Sequence, residues 1–174
     1  MKQRFEHLVD EHGGRLLQLA CLMLKSTSDA EDVVQDCLIK LWNQLAGLDR
    51  GAERAWLITC TRNACLDRLR AHQRQTGLLR QVHAMDQELN QRVEDHGPAS
   101  TTLRQEKARQ LHDAIRQLPE PARSLIILRD IQDEDVDTVA ETLALTPNQV
   151  KVYTFRARRV LRRHLEETRH EQVA

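Results

Sequence analysis

The residues best able to do chemistry are the cations near the C-terminus. Residues 148–165 contain no acidic side chain and six basic ones: Lys151, Arg156, Arg158, Arg159, Arg162 and Arg163. Arginine binds phosphate oxygens and can donate two parallel hydrogen bonds to the edge of a guanine base. The preceding residues 111–147 carry three basic and eight acidic side chains. A basic block can be a solvated helix face, but next to an acidic segment it favours a polyanionic partner.

A second group of charges is acidic and lies near the N-terminus. Asp29, Asp32 and Asp36 are spaced by three and four residues, so they form a ridge on one side of a predicted helix. The helix dipole favours acids in the first turn, which is the simpler explanation. It accounts less well for Asp36, so a surface for a basic partner stays open as the alternative.

The four cysteines, Cys21, Cys37, Cys60 and Cys65, form no CxxC pair, and no Cys/His group has zinc-site spacing. Each lies among apolar residues of a predicted helix, which indicates reduced, buried thiols. A thiol sensor or a metal site is the alternative. Because no paired carboxylates, nucleophile or phosphate loop occur, an enzyme is the least expected class. We expect no cofactor and no metal.

Length and composition limit the class of protein further. The 174 residues have a formal net charge of 0 and are 40% hydrophobic and 3% aromatic, which suits one ordinary domain or two small ones. No apolar run approaches the ~20 residues of a membrane helix, and the polar N-terminus is unlike a signal peptide. We therefore expect a cytoplasmic protein with no membrane insertion.

The elements that position the acidic ridge are predicted helices. Apolar periodicity predicts one helix over residues 5–25 and a second that runs to about residue 45. Ser28 and Glu31 have the spacing of a capping box, so Ser28 is expected to cap the second helix. Residues 46–53 contain two glycines and are predicted to form a loop.

A third helix is predicted over residues 55–72, followed by a linker. Thr59, Asn63 and Arg70 fall on the polar side of this helix. Asn63 has a poor propensity for a helix interior, so it is either incidental or makes a contact. Residues 73–105 lose the periodicity and contain Gly97-Pro98, which predicts a linker that is partly helical around 78–93.

The second half has the spacing of a helix-turn-helix. Helices are predicted over 103–118 and 122–131, then a short helix capped by Asp135, and a last helix over 147–166 that begins with the capping-box pattern Thr146-Pro147-Asn148-Gln149. A short helix, a tight turn and a basic second helix fit the major groove of DNA. Many such patterns are plain helical hairpins, which is the alternative.

Three groups of motifs together resemble the extracytoplasmic-function (ECF) group of bacterial sigma-70 class sigma factors. Residues 29–36 resemble the family's AEDLVQE segment, and Ala55-Trp56-Leu57 followed by Arg62-Asn63 resembles its AWL…RN segment. Leu118-Pro119, Leu128-Arg129 and Val150-Lys151 resemble its C-terminal LP…LR…TVK pattern. The matches are colinear and cover nearly the whole chain.

This resemblance implies an all-α fold of two small helical domains joined by a flexible linker. The implied limits are 1–72 for a domain that binds core RNA polymerase and the promoter −10 element, 73–105 for the linker, and 106–174 for a helix-turn-helix domain that binds the −35 element. The implied role is to direct the polymerase core to specific promoters and assist initiation, without catalysis. The implied partners are core polymerase, promoter DNA and an anti-sigma factor.

The resemblance also implies roles for individual residues. The residues for core-polymerase binding are Asp29, Asp32, Gln35 and Asp36. Those for −10 DNA are Thr59, Asn63 and Arg70, beside a loop over 45–54 that holds a flipped base. Those for −35 DNA are Lys151, Val152, Phe155, Arg156 and Arg159.

The sequence departs from the family pattern before the helix-turn-helix, where the family's Gly-Leu-Ser is replaced by Asp133-Glu134-Asp135. Asp135 retains the capping function of the serine. Two other functions stay open: a stand-alone helix-turn-helix regulator that does not bind polymerase, and a sigma-mimicking partner of an anti-sigma protein. Retention of Asn63, Lys151 and Arg156 argues against the second of these.

Overall fold

The structure is a computed structural model that describes residues 1–83 and 103–171, and within them the side chains of 1–75 and 105–167. In these ranges the chain forms helices and no β-strand. The helices are α1 (Lys2–Met23), α2 (Thr27–Gln44), α3 (Glu53–His83), α4 (Leu103–Gln117), α5 (Ala122–Ile126), α6 (Val136–Leu143) and α7 (Pro147–Glu171), with a π-helical segment (Ile127–Ile131) between α5 and α6. The predicted all-α fold is confirmed.

Helices α1, α2 and α3 pack against one another and form what we call the first block. Their apolar stripes meet in a core where Leu19, Leu41 and Leu57 are fully buried. At one edge of this core the rings of Phe5 and Trp42 stand edge to face, with centroids 5.1 Å apart. Burial of these large apolar side chains is the main term that holds three marginal helices together.

The start of α2 differs from the prediction. Ser26, not Ser28, is the N-cap residue: its backbone is extended, and its Oγ accepts a hydrogen bond from the amide of Asp29 at 3.1 Å. Ser28 already lies inside the first turn. Three consecutive hydroxyl residues occupy 26–28, and hydroxyl chemistry alone does not distinguish which one leaves the helical conformation.

Helices α4 to α7 and the π-helical segment form the second block. Ile115, Leu125, Val139 and Val150 are fully buried in its core. The predicted helix over 122–131 is divided, because the amide of Gln132 donates to the carbonyl of Ile127 at 2.9 Å, a wider turn than an α-helix makes.

A tight turn joins α6 to α7. Ala144 has a left-handed backbone (φ 52°) and ends α6. The amide of Leu145 donates to the carbonyl of Ala140 at 2.9 Å, and the amide of Ala144 donates to the carbonyl of Glu141 at 3.3 Å. This pair of bonds is a Schellman motif, which stops α6 and redirects the chain toward α7.

Side-chain caps fix the starts of both helices of this motif. Asp135 Oδ1 accepts a hydrogen bond from the amide of Thr138 at 2.7 Å, as expected for the cap of α6. At the start of α7, Thr146 Oγ1 accepts from the amide of Gln149 at 3.2 Å, and Gln149 Oε1 accepts from the amide of Thr146 at 2.8 Å. The second predicted capping box is therefore confirmed.

The two blocks are docked on each other, which the sequence did not indicate. Arg62 Nε of α3 donates to Ser124 Oγ of α5 at 2.7 Å, and Arg116 of α4 donates to the carbonyl of Cys21 at 3.0 Å. Glu134, just before α6, forms ion pairs with Arg15 and Arg54 of the first block. These polar contacts border a buried apolar cluster that includes residues of both blocks.

The predicted linker is only partly visible. Residues 73–83 continue α3, because glutamine and arginine are good helix formers and nothing there stops the helix. Residues 84–102 lie outside the described part of the chain. The domain limits 1–72, 73–105 and 106–174 stay a prediction.

Candidate nucleic-acid interface

The outer face of α7 carries the cations found in the sequence. Lys151, Val152, Phe155, Arg156 and Arg159 are all exposed. The opposite face packs inward through Val150, Thr154 and Ala157, which are buried. The structure thus places all five residues predicted for −35 DNA on one accessible side of a single helix.

Two of these five residues are apolar and unusually exposed. Phe155 is 62% exposed and Val152 is 46% exposed, although most large apolar side chains in this chain are buried. Apolar groups on a basic helix can contact thymine methyl groups in the major groove. Exposed apolar side chains among cations fit a surface that meets bases as well as phosphates.

The arginines of α7 differ in what they contact. Arg158 makes a bidentate ion pair with Asp130 of the π-helical segment, at 2.6 and 2.9 Å. This hydrogen-bonded carboxylate raises the pKa of Arg158. Arg156 instead lies over the ring of Tyr153, 6.0 Å from its centroid. Arg158 therefore ties α7 to its own block, whereas Arg156 is an exposed cation beside a ring of its own helix.

The residues of the acidic ridge on α2 also differ in what they contact. Arg68 of α3 lies 3.2 Å from Asp29 and 3.1 Å from Asp32, so these two carboxylates bind within the first block. Gln35 and Asp36 are exposed, and no ion pair among the described residues involves them. The part of the ridge best placed for an outside partner is its C-terminal half.

The ridge continues into two exposed apolar residues that no sequence motif singled out. Ile39 and Trp42 are both exposed on α2 beyond Asp36. Asp36, Ile39 and Trp42 are spaced by three residues, so the sequence already indicates that they share one side of the helix. The two apolar residues were instead counted with the apolar pattern that predicts the helix itself. A mixed acidic and apolar surface is typical of a protein-binding face.

The three residues predicted for −10 DNA are only partly brought together. Thr59 is half-buried, whereas Asn63 and Arg70 are exposed and line a groove of about 670 Å³. Arg70 is paired with Asp67 at 2.9 Å. Glu120 of the second block lines the same groove, so the docked second block places a carboxylate beside these residues.

The loop between α2 and α3 is held in place by Arg4. This side chain donates to the carbonyls of Leu45 and Leu48 at 3.1 and 2.9 Å, and its Nε lies 3.1 Å from Glu53 Oε1. Burial acts to raise the pKa of Glu53, but hydrogen bonds from Arg4 and from the backbone, including the amide of Gly51, hold that pKa below its usual value. A fixed loop at the end of the ridge helix is thereby built around one buried ion pair.

All four thiols are free, and their burial is uneven. Cys37 and Cys65 are buried as predicted, but Cys21 and Cys60 are only half-buried. Among residues 1–83 and 103–171, no group of three or more His, Cys, Asp or Glu side chains could hold a metal ion. In the same part of the chain, every helix is too short or too polar to cross a membrane.

Known proteins resemble the chain over both blocks. The family model described as Sigma-70 region 2 matches residues 8–75, and the one described as Sigma-70, region 4 matches residues 108–161. The ECF RNA polymerase sigma factor SigX of Bacillus subtilis is 29% identical, with 98% of this chain and 88% of the relative covered. The ECF RNA polymerase sigma factor SigM of Mycobacterium tuberculosis is 30% identical, with 92% and 76% covered.

Two solved structures share the arrangement of helices. CnrH in complex with the cytosolic domain of CnrY has a TM-score of 0.71 at 25% identity, covering 96% of this chain and 90% of that one. The sigma factor RpoE of Bartonella quintana, in complex with the anti-sigma factor NepR, has a TM-score of 0.68 at 24% identity, covering 95% and 98%. The second likeness supports the fold alone. The chain belongs to the ECF group of sigma-70 class RNA polymerase sigma factors, transcription initiation factors that direct the core enzyme to promoters and are not themselves enzymes.

Proposed function

We propose that the outer face of α7 contacts the −35 promoter element. The residues are Lys151, Val152, Phe155, Arg156 and Arg159. The observation that carries this proposal is the accessible side of α7, where exposed cations surround two exposed apolar side chains. Phosphate contacts by the lysine and arginines supply affinity that falls with salt, and contacts to base edges supply sequence preference.

The first block contacts the second promoter element, the −10 element. Asn63, Arg70 and the half-buried Thr59 contact the −10 element, and the Arg4-anchored loop receives an unstacked base. Neither block alone binds a promoter tightly, because each contact raises the effective concentration of the other. This division makes promoter activity depend on the spacing between the two elements.

The C-terminal half of the acidic ridge binds core polymerase. Asp36 and Gln35 meet a basic partner surface, and Asp29 and Asp32 contribute charge while they stay bound to Arg68. Ile39 and Trp42 add apolar area to the same face. Core polymerase acts in the bacterial cytoplasm, which is where we place this chain.

A protein inhibitor is a further expected partner. CnrH, whose solved structure this chain resembles, is bound to the cytosolic domain of another protein. We extend this to an anti-sigma factor that covers surfaces needed for polymerase and promoter. Binding to a purified candidate in competition with core polymerase is the corresponding measurement.

Runoff transcription with purified core polymerase tests the −35 surface. Arg156→Ala should reduce −35-dependent transcription about 5- to 150-fold, the cost of one good base contact of about 1–3 kcal/mol. The matched control is Lys107→Ala, which removes an exposed cation of α4 outside the proposed surface. Equal transcription by parent and Arg156→Ala protein, or an equal loss in both variants, would remove Arg156 from the interface.

Affinity for core polymerase tests the ridge. Asp36→Arg should weaken core binding while the helical content is unchanged, because a cation then faces a basic partner. Asp10→Arg on the exposed face of α1 is the matched charge reversal. Unchanged affinity would mean that the ridge stabilises its own helix through the helix dipole and does not bind polymerase.

A further inference from the structure

Two thiols of the first block face each other across the contact between α2 and α3. Cys37 Sγ on α2 donates a hydrogen bond to Cys60 Sγ on α3, with 3.0 Å between the sulfur atoms. In a disulfide the sulfur atoms are ~2.05 Å apart, so closing this gap needs a movement of only about 1 Å. The pair lies 23 positions apart in the sequence, and no spacing motif reveals it.

The two members of the pair have different environments. Cys37 is fully buried, whereas Cys60 is half-buried and reaches solvent. The hydrogen bond from Cys37 stabilises the Cys60 thiolate, burial opposes this, and the ammonium group of Lys40 adds to it, so the pKa of Cys60 is lowered to about 7. The same hydrogen bond and burial raise the pKa of Cys37. One thiol is therefore accessible and the other is protected beside it.

The other two cysteines lack this arrangement. Burial and the nearby carboxylate of Glu31 raise the pKa of the half-buried Cys21. Cys65 is fully buried, which raises its pKa to about 12. Thiolates are the reactive form of cysteine, so oxidants should discriminate among the four.

We propose that Cys60 and Cys37 are a modification site at which a peroxide closes a disulfide between α2 and α3. The Cys60 thiolate attacks one peroxide oxygen, the O–O bond breaks, and the departing oxygen takes a proton to leave as water, which makes Cys60 a sulfenic acid. Cys37 then gives up its proton and attacks the Cys60 sulfur, whose S–O bond breaks to release a second water. Two thiols lose two electrons and two protons, and one hydrogen peroxide becomes two waters.

The position of this site gives it a consequence for the surfaces around it. Cys37 follows Asp36 on the ridge helix, and Cys60 follows Thr59 on α3. The disulfide would fix the two helices that carry the proposed polymerase and −10 surfaces relative to each other. This consequence rests on the proposed function, but the chemistry at the site does not.

Peptide mapping of the oxidised full-length protein tests the proposal. Trypsin places each cysteine on its own peptide: Cys21 on 16–25, Cys37 on 26–40, Cys60 on 55–62 and Cys65 on 63–68. After about one equivalent of hydrogen peroxide, alkylation and digestion without reductant, we expect peptide 26–40 joined to 55–62 with the loss of two hydrogens. Cys21 and Cys65 should be recovered as alkylated thiols.

Variants separate the two steps. Cys37→Ser should leave Cys60 as a sulfenic acid that dimedone traps, and Cys60→Ser should abolish rapid thiol loss. Cys21→Ser is the matched control, which should still form the 26–40/55–62 disulfide. A different pairing, predominant intermolecular dimers, or the survival of all four thiols in the parent protein would overturn the proposal. The parent result does not depend on whether a variant folds.

Discussion

The charge cluster around Glu134 makes the docking of the two blocks open to a direct test. The Glu134 side chain is 1% exposed, with Oε1 2.8 Å from Arg15 and Oε2 2.6 Å from Arg54. The Arg54 contact is the shorter of the two, but its N–H groups are not oriented to donate a hydrogen bond to Oε2. It is therefore the weaker contact. Both arginines belong to the first block, whereas Glu134 belongs to the second.

The structure predicts an asymmetry between the partners. Removing both arginines leaves a buried carboxylate without compensation, which costs about 3–5 kcal/mol where the site stays closed. Replacing Glu134 by glutamine leaves two arginines that are 43% and 40% exposed and can be hydrated, so we expect only the loss of the charged hydrogen bond, about 1–2 kcal/mol. The blocks can also separate and hydrate the carboxylate, which limits either cost to the free energy of docking.

The radius of gyration from solution scattering and the unfolding curve in denaturant test this prediction. A compact chain of this length has a radius of gyration of about 16 Å. Glu134→Gln should shift the docking equilibrium about 5- to 30-fold toward an open form, and Arg15→Met with Arg54→Met should shift it further. Glu141→Gln, on the exposed side of α6, is the matched control and should leave the radius unchanged.

Two results would contradict the role of Glu134 in docking the two blocks. If Glu134→Gln and the double arginine variant both keep the parent radius and the parent unfolding curve, Glu134 does not hold the blocks together. If Glu134→Gln opens the chain more than the double arginine variant, the unpaired buried carboxylate is not the more costly of the two states. A double-mutant cycle between Glu134→Gln and Arg54→Met then gives the coupling energy of that pair.

Two further predictions concern the turn of the helix-turn-helix and the thiol pair. Ala144→Gly should stabilise the protein by about 1 kcal/mol in urea denaturation, because glycine has no penalty at the left-handed backbone that Ala144 adopts; a loss of stability would show that the alanine side chain matters more than its backbone. Alkylation of Cys60 should rise with pH through a midpoint near 7, since the thiolate is the reactive form, and Cys21, whose pKa burial raises, should need a higher pH than Cys60. Rates for the two thiols that rise together would contradict the role of the Cys37 hydrogen bond.

The sequence predicted the helices wherever a local rule was enough. Of the apolar stripe of α2, Val34, Leu41 and Leu45 are buried and Leu38 is half-buried. The Thr146–Gln149 capping box forms both of its hydrogen bonds. Ser28 failed as a cap because three adjacent hydroxyl residues satisfy the same rule. The exposure of the basic face of α7 also follows from periodicity, because its opposite face had to bury Val150 and Ala157.

The sequence could not predict contacts between residues far apart in the chain. Arg15 and Glu134 are 119 positions apart, and nothing local to either one indicates the other. The only signal was the replacement of the family's Gly-Leu-Ser by Asp133-Glu134-Asp135, since an acid where an apolar residue is usual needs a buried partner. The Cys37–Cys60 pair is invisible for the same reason, because it depends on how α2 and α3 are rotated against each other.

The bidentate contact between Arg158 and Asp130 has an evolutionary consequence. It helps to hold α7 on its own scaffold through a side chain at the edge of the outer face. Residues such as Val152 and Phe155 can therefore be exchanged in descendants without remodelling the backbone beneath them. A paralogue could acquire a new set of target genes by one or two point mutations, while its fold and its assembly with polymerase are inherited intact.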